Sequence, residues 1–178
     1  MILASSSPRR KELLHKITDD FIVVAPNIDE GQLSFLPPFV LPGEESKLKA
    51  YAVKSLYPHE EVLACDTVVL LHGKILGKPK DELEAFRMLK EESGQVQLVL
   101  SGYTYLGKGK EITRTVETKV YFKELSDELI WEYIREKKPL DKAGAYGIQD
   151  GYPLVDHIEG SYDNVVGLPT EDILLHIR

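Results

Sequence analysis

Apolar residues open the chain as a short run, Ile2-Leu3-Ala4, that reads as a buried strand. Ser5-Ser6-Ser7 follows as a loop, with Ser7 suited to cap the next helix and Pro8 to its first position. Leu13, Leu14 and Ile17 return at helical spacing, so residues 8–17 are predicted as an amphipathic helix. Phe21 to Ala25 reads as a second strand, followed by an acidic turn, Asn27-Ile28-Asp29-Glu30, and a Pro- and Gly-containing stretch to Gly43. Residues 45–56 read as a helix with Leu48, Tyr51, Ala52 and Leu56 on one side and Lys47 and Lys54 at its flanks. Val62 to Leu71 is the strongest strand signal, apolar and β-branched except for Asp66-Thr67 in its middle. His72-Gly73 turns the chain into Lys74-Ile75-Leu76, and the capping-box pattern Asp81-Glu82-Leu83-Glu84 opens a helix to about Glu92, closed by Ser93-Gly94.

The second half reads as a hairpin, Gln97 to Leu106 and Glu111 to Phe122, joined by Gly107-Lys108-Gly109. Ser126 opens another helix that Pro139 ends; residues 143–169 read as strand and loop, and Thr170 caps a short final helix. There is no repeat and no low-complexity linker. The mixture predicts an α/β or α+β fold around one mixed sheet, in two lobes.

Composition narrows this picture. At 178 residues the chain is expected to be a single domain, 1–178, and 43% hydrophobic residues suffice for a core. No stretch approaches the roughly 20 apolar residues of a membrane span, and no secretory signal is visible. The single Cys65 excludes an intramolecular disulfide and any multi-cysteine zinc site, so a cytoplasmic protein is expected.

With 22 Lys+Arg against 29 Asp+Glu, the net charge of −7 argues against a nucleic acid polymer as partner. Local charge differs: Arg9, Arg10, Lys11 and Lys16 face Glu12 alone, and Lys74, Lys78 and Lys80 lie together without an acid. The first group falls at the predicted start of a helix, a reasonable anion site.

Asp66 is the sharpest single feature, because a carboxylate inside an apolar strand is costly unless it is paired or binds a metal. Its alternatives are an exposed strand end or a lysine partner. Asp29 and Glu30 sit in a loop; oxygen donors without a His cluster would favour Mg²⁺ or Mn²⁺ over Zn²⁺, and solvated loop acids are the alternative. Lys78-Pro79-Lys80 displays ammonium groups from a turned loop, either for phosphate or for solubility. Together these parts describe a site for a metal-bound polyphosphate, since phosphoryl chemistry needs cations, a metal and a carboxylate to orient or deprotonate water. No Walker-type phosphate loop, dinucleotide fingerprint or nucleophile elbow is present. Cys65, Trp131 and Tyr133 read as packing residues, and the five His as surface or satisfied ones.

At this point Ser5-Ser6-Ser7-Pro8-Arg9-Arg10, Cys65-Asp66-Thr67, Gly77-Lys78-Pro79 and Asp141-Lys142-Ala143-Gly144-Ala145-Tyr146-Gly147-Ile148-Gln149 resemble the Maf (septum formation) nucleotide pyrophosphatases. So does Glu159-Gly160-Ser161-Tyr162-Asp163-Asn164-Val165-Val166-Gly167-Leu168-Pro169, and the matches run in order from residue 2 to residue 169. The resemblance implies an α/β, Maf-like fold related to inosine triphosphate pyrophosphatases: a mixed twisted sheet, flanking helices, and two lobes around a nucleotide cleft. It implies hydrolysis of a nucleoside triphosphate to monophosphate and pyrophosphate with a divalent cation, Mg²⁺ or Mn²⁺.

By that resemblance Asp66 is the proton acceptor, Glu30 helps Asp66 hold the metal, and Ser5, Arg9 and Arg10 face phosphate. Lys54 and Lys78 match the pocket lysines. Thr67 after the Asp, and the segment ending in Gln149, resemble the branch acting on dTTP and UTP; a carboxamide offers the acceptor and donor that a uracil or thymine edge requires. Acceptance of both would mean that the 5-methyl and the 2′-hydroxyl are poorly read. The family usually continues that Gln with Gly, whereas here Asp150-Gly151-Tyr152 follows, and Cys65 stands where Ala or Gly is commoner. Modified pyrimidine nucleotides are alternative substrates, and a nucleotide-binding regulator of septum formation with incidental turnover is the alternative function. The expected partner is a small-molecule nucleoside triphosphate, with no membrane and a homodimer left open.

Overall fold

The computed structural model describes residues 1–177. In chain order the elements are β1 (Ile2–Ala4), α1 (Pro8–Leu14), β2 (Ile22–Val24), α2 (Leu41–Leu56), β3 (Val62–Leu71) and β4 (Lys74–Leu76). Then come α3 (Glu82–Glu92), β5 (Val96–Gly107), β6 (Lys110–Phe122), α4 (Asp127–Lys137), β7 (Val155–Glu159), α5 (Tyr162–Val166) and α6 (Thr170–His176). Single 3₁₀ turns occupy Pro139–Asp141, Ala143–Ala145 and Ile148–Asp150. Among the described residues the strands make one seven-stranded mixed sheet in the order β2-β1-β3-β5-β6-β7, with β4 on β3. The α/β class is therefore as the sequence predicts. No helix among the described residues is long and apolar enough to cross a membrane.

The chain divides into two compact units. The first holds Met1–Thr67, Leu100–Glu117 and the segment from Ser161 onward. Its centre is a parallel trio in which Leu3 pairs with Val23 and Leu63, and Ala4 with Val24 and Ala64. Because successive strand residues point to opposite faces, two separate clusters form. Leu3, Leu63 and Cys65 pack with Leu13, Leu14, Tyr103, Tyr105, Leu168 and Ile173. Ile2, Ala4, Val62 and Ala64 pack with Ala50, Val53 and Leu106. Cys65 is a buried packing residue, and burial pushes its thiol up.

Helix α2 departs from the sequence reading in two ways. It begins at Leu41, with Pro42 and Gly43 in its first turn rather than in a loop. Its buried stripe is Ser46, Lys49, Ala50 and Val53, whereas Tyr51 and Leu56, which the sequence places on one side with Leu48 and Ala52, are exposed. The reason is close approach: a Cβ on Gly102 of β5 would stand 2.2 Å from the Pro42 carbonyl carbon. Small residues on the near face let the helix backbone lie this close to the sheet, with Leu48 half-buried and Tyr51 and Leu56 turned outward.

The second unit holds Val68–Val99 and Thr118–Gly160. Here the end of β3 folds back through His72 and Gly73, both at positive φ, so that Val69 pairs with Leu76. Asp81 Oδ1 accepts from the Glu84 amide at 2.8 Å, fixing the start of α3. Phe86 stacks on Trp131 of α4 at 4.6 Å, and Ile130, Tyr133 and Ile134 are buried. Helix α1 is shorter than predicted, ending at Leu14 with a turn to Ile17. The five-residue α5 lies inside a stretch read as strand and loop.

Candidate active site

Alternation along β3 decides where its two polar residues go. Asp66 shares the face of Val62 and Ala64 and therefore meets α2, while Thr67 shares the face of Leu63 and Cys65 and meets α1. On the α2 side, Lys49 Nζ donates to Asp66 Oδ1 at 2.7 Å and lies 3.5 Å from Glu30 Oε1. The Lys49 side chain is only 7% exposed, against 19% for Asp66 and 72% for Glu30. Of the alternatives open for Asp66, the structure shows a lysine partner.

Glu45, one helical turn before Lys49, is the third carboxylate of this group. It is buried, the Gly31 amide hydrogen-bonds it, and its Oε2 has no partner among the described residues. Burial, and then the nearby Asp66 carboxylate, push its carboxyl above the ordinary range, against the pull of Lys49. Asp66 and Glu30 thus share one ammonium, whose charge Glu45 also feels. Their oxygen-only chemistry and the bare Glu45 oxygen fit a hard divalent cation, with Lys49 standing in for positive charge. No three acidic, His or Cys side chains among the described residues already converge as a metal-holding group.

On the α1 side, Arg10 Nε donates to the Gly167 carbonyl at 2.8 Å and Nη2 to Thr67 Oγ1 at 3.1 Å. Thr67 is itself bonded to Ser101 at 2.9 Å, and Ser101 Oγ donates to the Asn164 carbonyl at 3.2 Å. These contacts fix the guanidinium plane yet use only part of its five N–H donors. Ser5 is buried, with Oγ accepting from the Ser7 amide at 3.1 Å, and Ser7 Oγ caps the Arg10 amide at 3.4 Å. The structure thus brings together Asp66 with Glu30, Thr67 with Arg10, and Ser5 with the turn that precedes Arg10. Arg9 is half-buried on the same helix.

Lys54 is not brought to Asp66. Five residues after Lys49 it falls well off the buried stripe, and its Nζ donates to the Glu60 carbonyl. Lys78 and Gln149 belong to the second unit, where both are exposed, and the Gln149 carboxamide makes no hydrogen bond among the described residues.

A model of the Maf-like protein family matches residues 1–178. The chain belongs to the Maf family. Among its curated Maf relatives, a dTTP/UTP pyrophosphatase of Thermococcus gammatolerans is 49% identical over 174 residues, covering 97% of this chain and 92% of the relative. One from Thermosipho africanus is 50% identical over 174 residues, covering 97% and 89%. One from Pyrococcus furiosus is 48% identical over 171 residues, covering 95% and 89%.

Two residues of this Maf site escaped the sequence reading, Lys49 and Glu45. The signal was present in the spacing Glu45, Ser46, Lys49, Ala50, Val53, one helical stripe whose small members mark a close-packed face. It was masked by the larger Leu48, Tyr51 and Leu56 on another side.

Proposed function

We propose that this protein is a nucleoside triphosphate pyrophosphatase that converts dTTP and UTP to the monophosphate and pyrophosphate. The observation that carries the reading is the buried Lys49 ammonium between Asp66 and Glu30, beside the unpartnered Glu45 oxygen. A carboxylate group of this kind calls for cationic charge, in a chain about half identical to dTTP/UTP pyrophosphatases along nearly its whole length.

Asp66 orients a water and accepts its proton as the water oxygen bonds to the α-phosphorus. The bond from that phosphorus to the bridging oxygen breaks, and the electron pair leaves with pyrophosphate. Arg9, Arg10 and Lys78 offset the charge of the departing group, and Arg10 does so from a plane already fixed by Gly167 and Thr67. Ser5 lines the phosphate-facing turn, Thr67 orients Arg10, and Lys54 contributes positive charge at longer range. Glu30 and Asp66, with Glu45, would hold a divalent cation, Mg²⁺ or Mn²⁺. When bound, the cation supplies electrophilic activation and charge neutralisation at phosphate.

Gln149 reads the pyrimidine edge, its exposed carboxamide presenting an acceptor and a donor. The partner is a free nucleotide rather than a nucleic acid polymer or a membrane, in the cytoplasm, where the activity limits incorporation of non-standard nucleotides. The test is pyrophosphate release from dTTP, UTP, CTP, ITP and 7-methyl-GTP with Mg²⁺ or Mn²⁺. Preferential turnover of dTTP and UTP supports the reading; preference for 7-methyl-GTP, or binding without turnover under either metal, overturns it.

A further inference from the structure

The second unit contains a buried polar chain that the proposed reaction does not use. Glu92, at the end of α3, and Gln97, at the start of β5, are both fully buried. Tyr146 OH donates to Gln97 Oε1 at 2.7 Å, and Gln97 Nε2 donates to Glu92 Oε1 at 2.6 Å. The two bonds together fix which way the Gln97 amide faces, because only an acceptor at position 92 holds its nitrogen end there.

The chain ends on a segment that needs holding. Gly144 and Ala145 have φ of 71° and 59°, left-handed values that are unfavourable for the alanine. A Cβ on Gly144 would stand 2.7 Å from Glu92 Oε1 and 3.1 Å from Gln97 Nε2, so the backbone rests directly on this pair. The Gly144 amide donates to the Gly77 carbonyl at 3.1 Å, tying the same segment to the residue before Lys78. Beyond it, Tyr133 OH accepts from the Gly147 amide at 2.8 Å and donates to Asp150 Oδ2 at 2.7 Å. Residues 144–150, which include Gln149, are therefore clamped at both ends.

Burial with no cation beside it among the described residues disfavours a charge on Glu92. It has no basic partner among the described residues, and one carboxyl oxygen, Oε2, is bare. The groups that face it are Glu91 on its own helix, Gln97 of β5, Tyr133 of α4 and Tyr146 of the clamped segment, none of them cationic. Burial first, then Glu91, push its carboxyl well above the ordinary range.

We propose that Glu92, acting through Gln97 and Tyr146, is a positioning residue that holds segment 144–150 in the shape that presents Gln149 to the pyrimidine base. The proposal rests on the reading of Gln149 given above. Its test pairs amide hydrogen exchange at Gly144 and Gly147 in the nucleotide-free, full-length protein with dTTP kinetics. Glu92→Ala, which removes the acceptor, and Tyr146→Phe, which removes one hydroxyl and little volume, are expected to speed exchange about tenfold or more. Both raise KM several-fold with kcat held within about twofold. Glu92→Gln keeps the acceptor without a charge and restores both readouts.

Unchanged exchange in Glu92→Ala and Tyr146→Phe overturns the proposal, as does failure of Glu92→Gln to restore it. So does faster exchange with an unchanged KM when Gln149→Ala does raise KM. If Gln149→Ala leaves KM and base preference untouched, it is the base reading that fails, and the exchange rates alone decide whether Glu92 positions the segment.

Discussion

Replacing Lys49 by Met removes the ammonium shared by Asp66 and Glu30, whose charge Glu45 also feels, while keeping the length of the side chain. Breaking a buried ion pair by deleting one partner costs about 3–5 kcal/mol, chiefly because the other charge is left desolvated. The figure here is lower for two reasons. Asp66 is 19% exposed and keeps some solvent, and Glu30, 72% exposed at 3.5 Å, adds little beyond a surface pair. A loss of about 2–4 kcal/mol follows, or a Tm lower by roughly 5–15 °C for a chain of this size. Lys54→Met is the matched control, because its ammonium holds only the Glu60 carbonyl and its loss should cost under about 1 kcal/mol.

The assay is thermal or urea unfolding of both variants near pH 7, repeated with increasing Mn²⁺. With the ammonium gone the carboxylates gain most from a bound cation, so Mn²⁺ should raise the Tm of Lys49→Met more than that of the parent protein. Equal stability of the two Met variants would refute the idea that Lys49 neutralises this cluster. A Tm of Lys49→Met indifferent to Mn²⁺ would refute its use as a cation site.

Gly102→Ala should be among the most damaging single-methyl changes in the first unit, since the new Cβ would stand 2.2 Å from the Pro42 backbone and cannot be relieved by a side-chain rotation. A loss of about 3 kcal/mol or more in urea unfolding is expected, and a neutral outcome would mean that α2 does not lie so close to β5. Glu92→Gln should change how stability depends on pH. Above about pH 4.5 the unfolded chain sheds the Glu92 proton while the folded chain keeps it, so stability of the parent falls as pH rises, by up to ~1.4 kcal/mol per unit, until the raised folded value is reached. The variant lacks this slope; its Tm advantage should be small near pH 4 and grow towards pH 8, whereas a constant difference would show that Glu92 ionises normally in the folded protein.

Elements whose local signals agree with their packing were legible in the sequence. Strand β3 matches the expected residues 62–71 because an apolar, β-branched run has no other low-energy arrangement in a sheet, and α3 follows its Asp81–Glu84 cap. Asp66 stood out because it breaks that run. The face of α2 was not legible, because the large Leu48, Tyr51 and Leu56 suggest one buried side and a close backbone approach at Gly102 selects another. Lys54 comes from the family resemblance alone, and the inversion of the helix face hides the stripe that sets Lys49 and Glu45 near Asp66. Helix α5, with five residues, is too short to show a period. Only the Gly144 contact with Glu92 and Gln97 reveals why the Gly-rich segment before Gln149 has its sequence, and such a long-range contact leaves no local mark.

The most direct measurement of the central claim follows the products of dTTP hydrolysis by the purified protein in Mg²⁺, comparing the parent with Asp66→Asn. The parent is expected to release dTMP and pyrophosphate in equal amounts. Asp66→Asn is expected to keep the same fold by circular dichroism and to turn over about a hundredfold or more slowly, as follows from loss of a positioned base. Release of inorganic phosphate and dTDP, or equal turnover by Asp66→Asn, would contradict it.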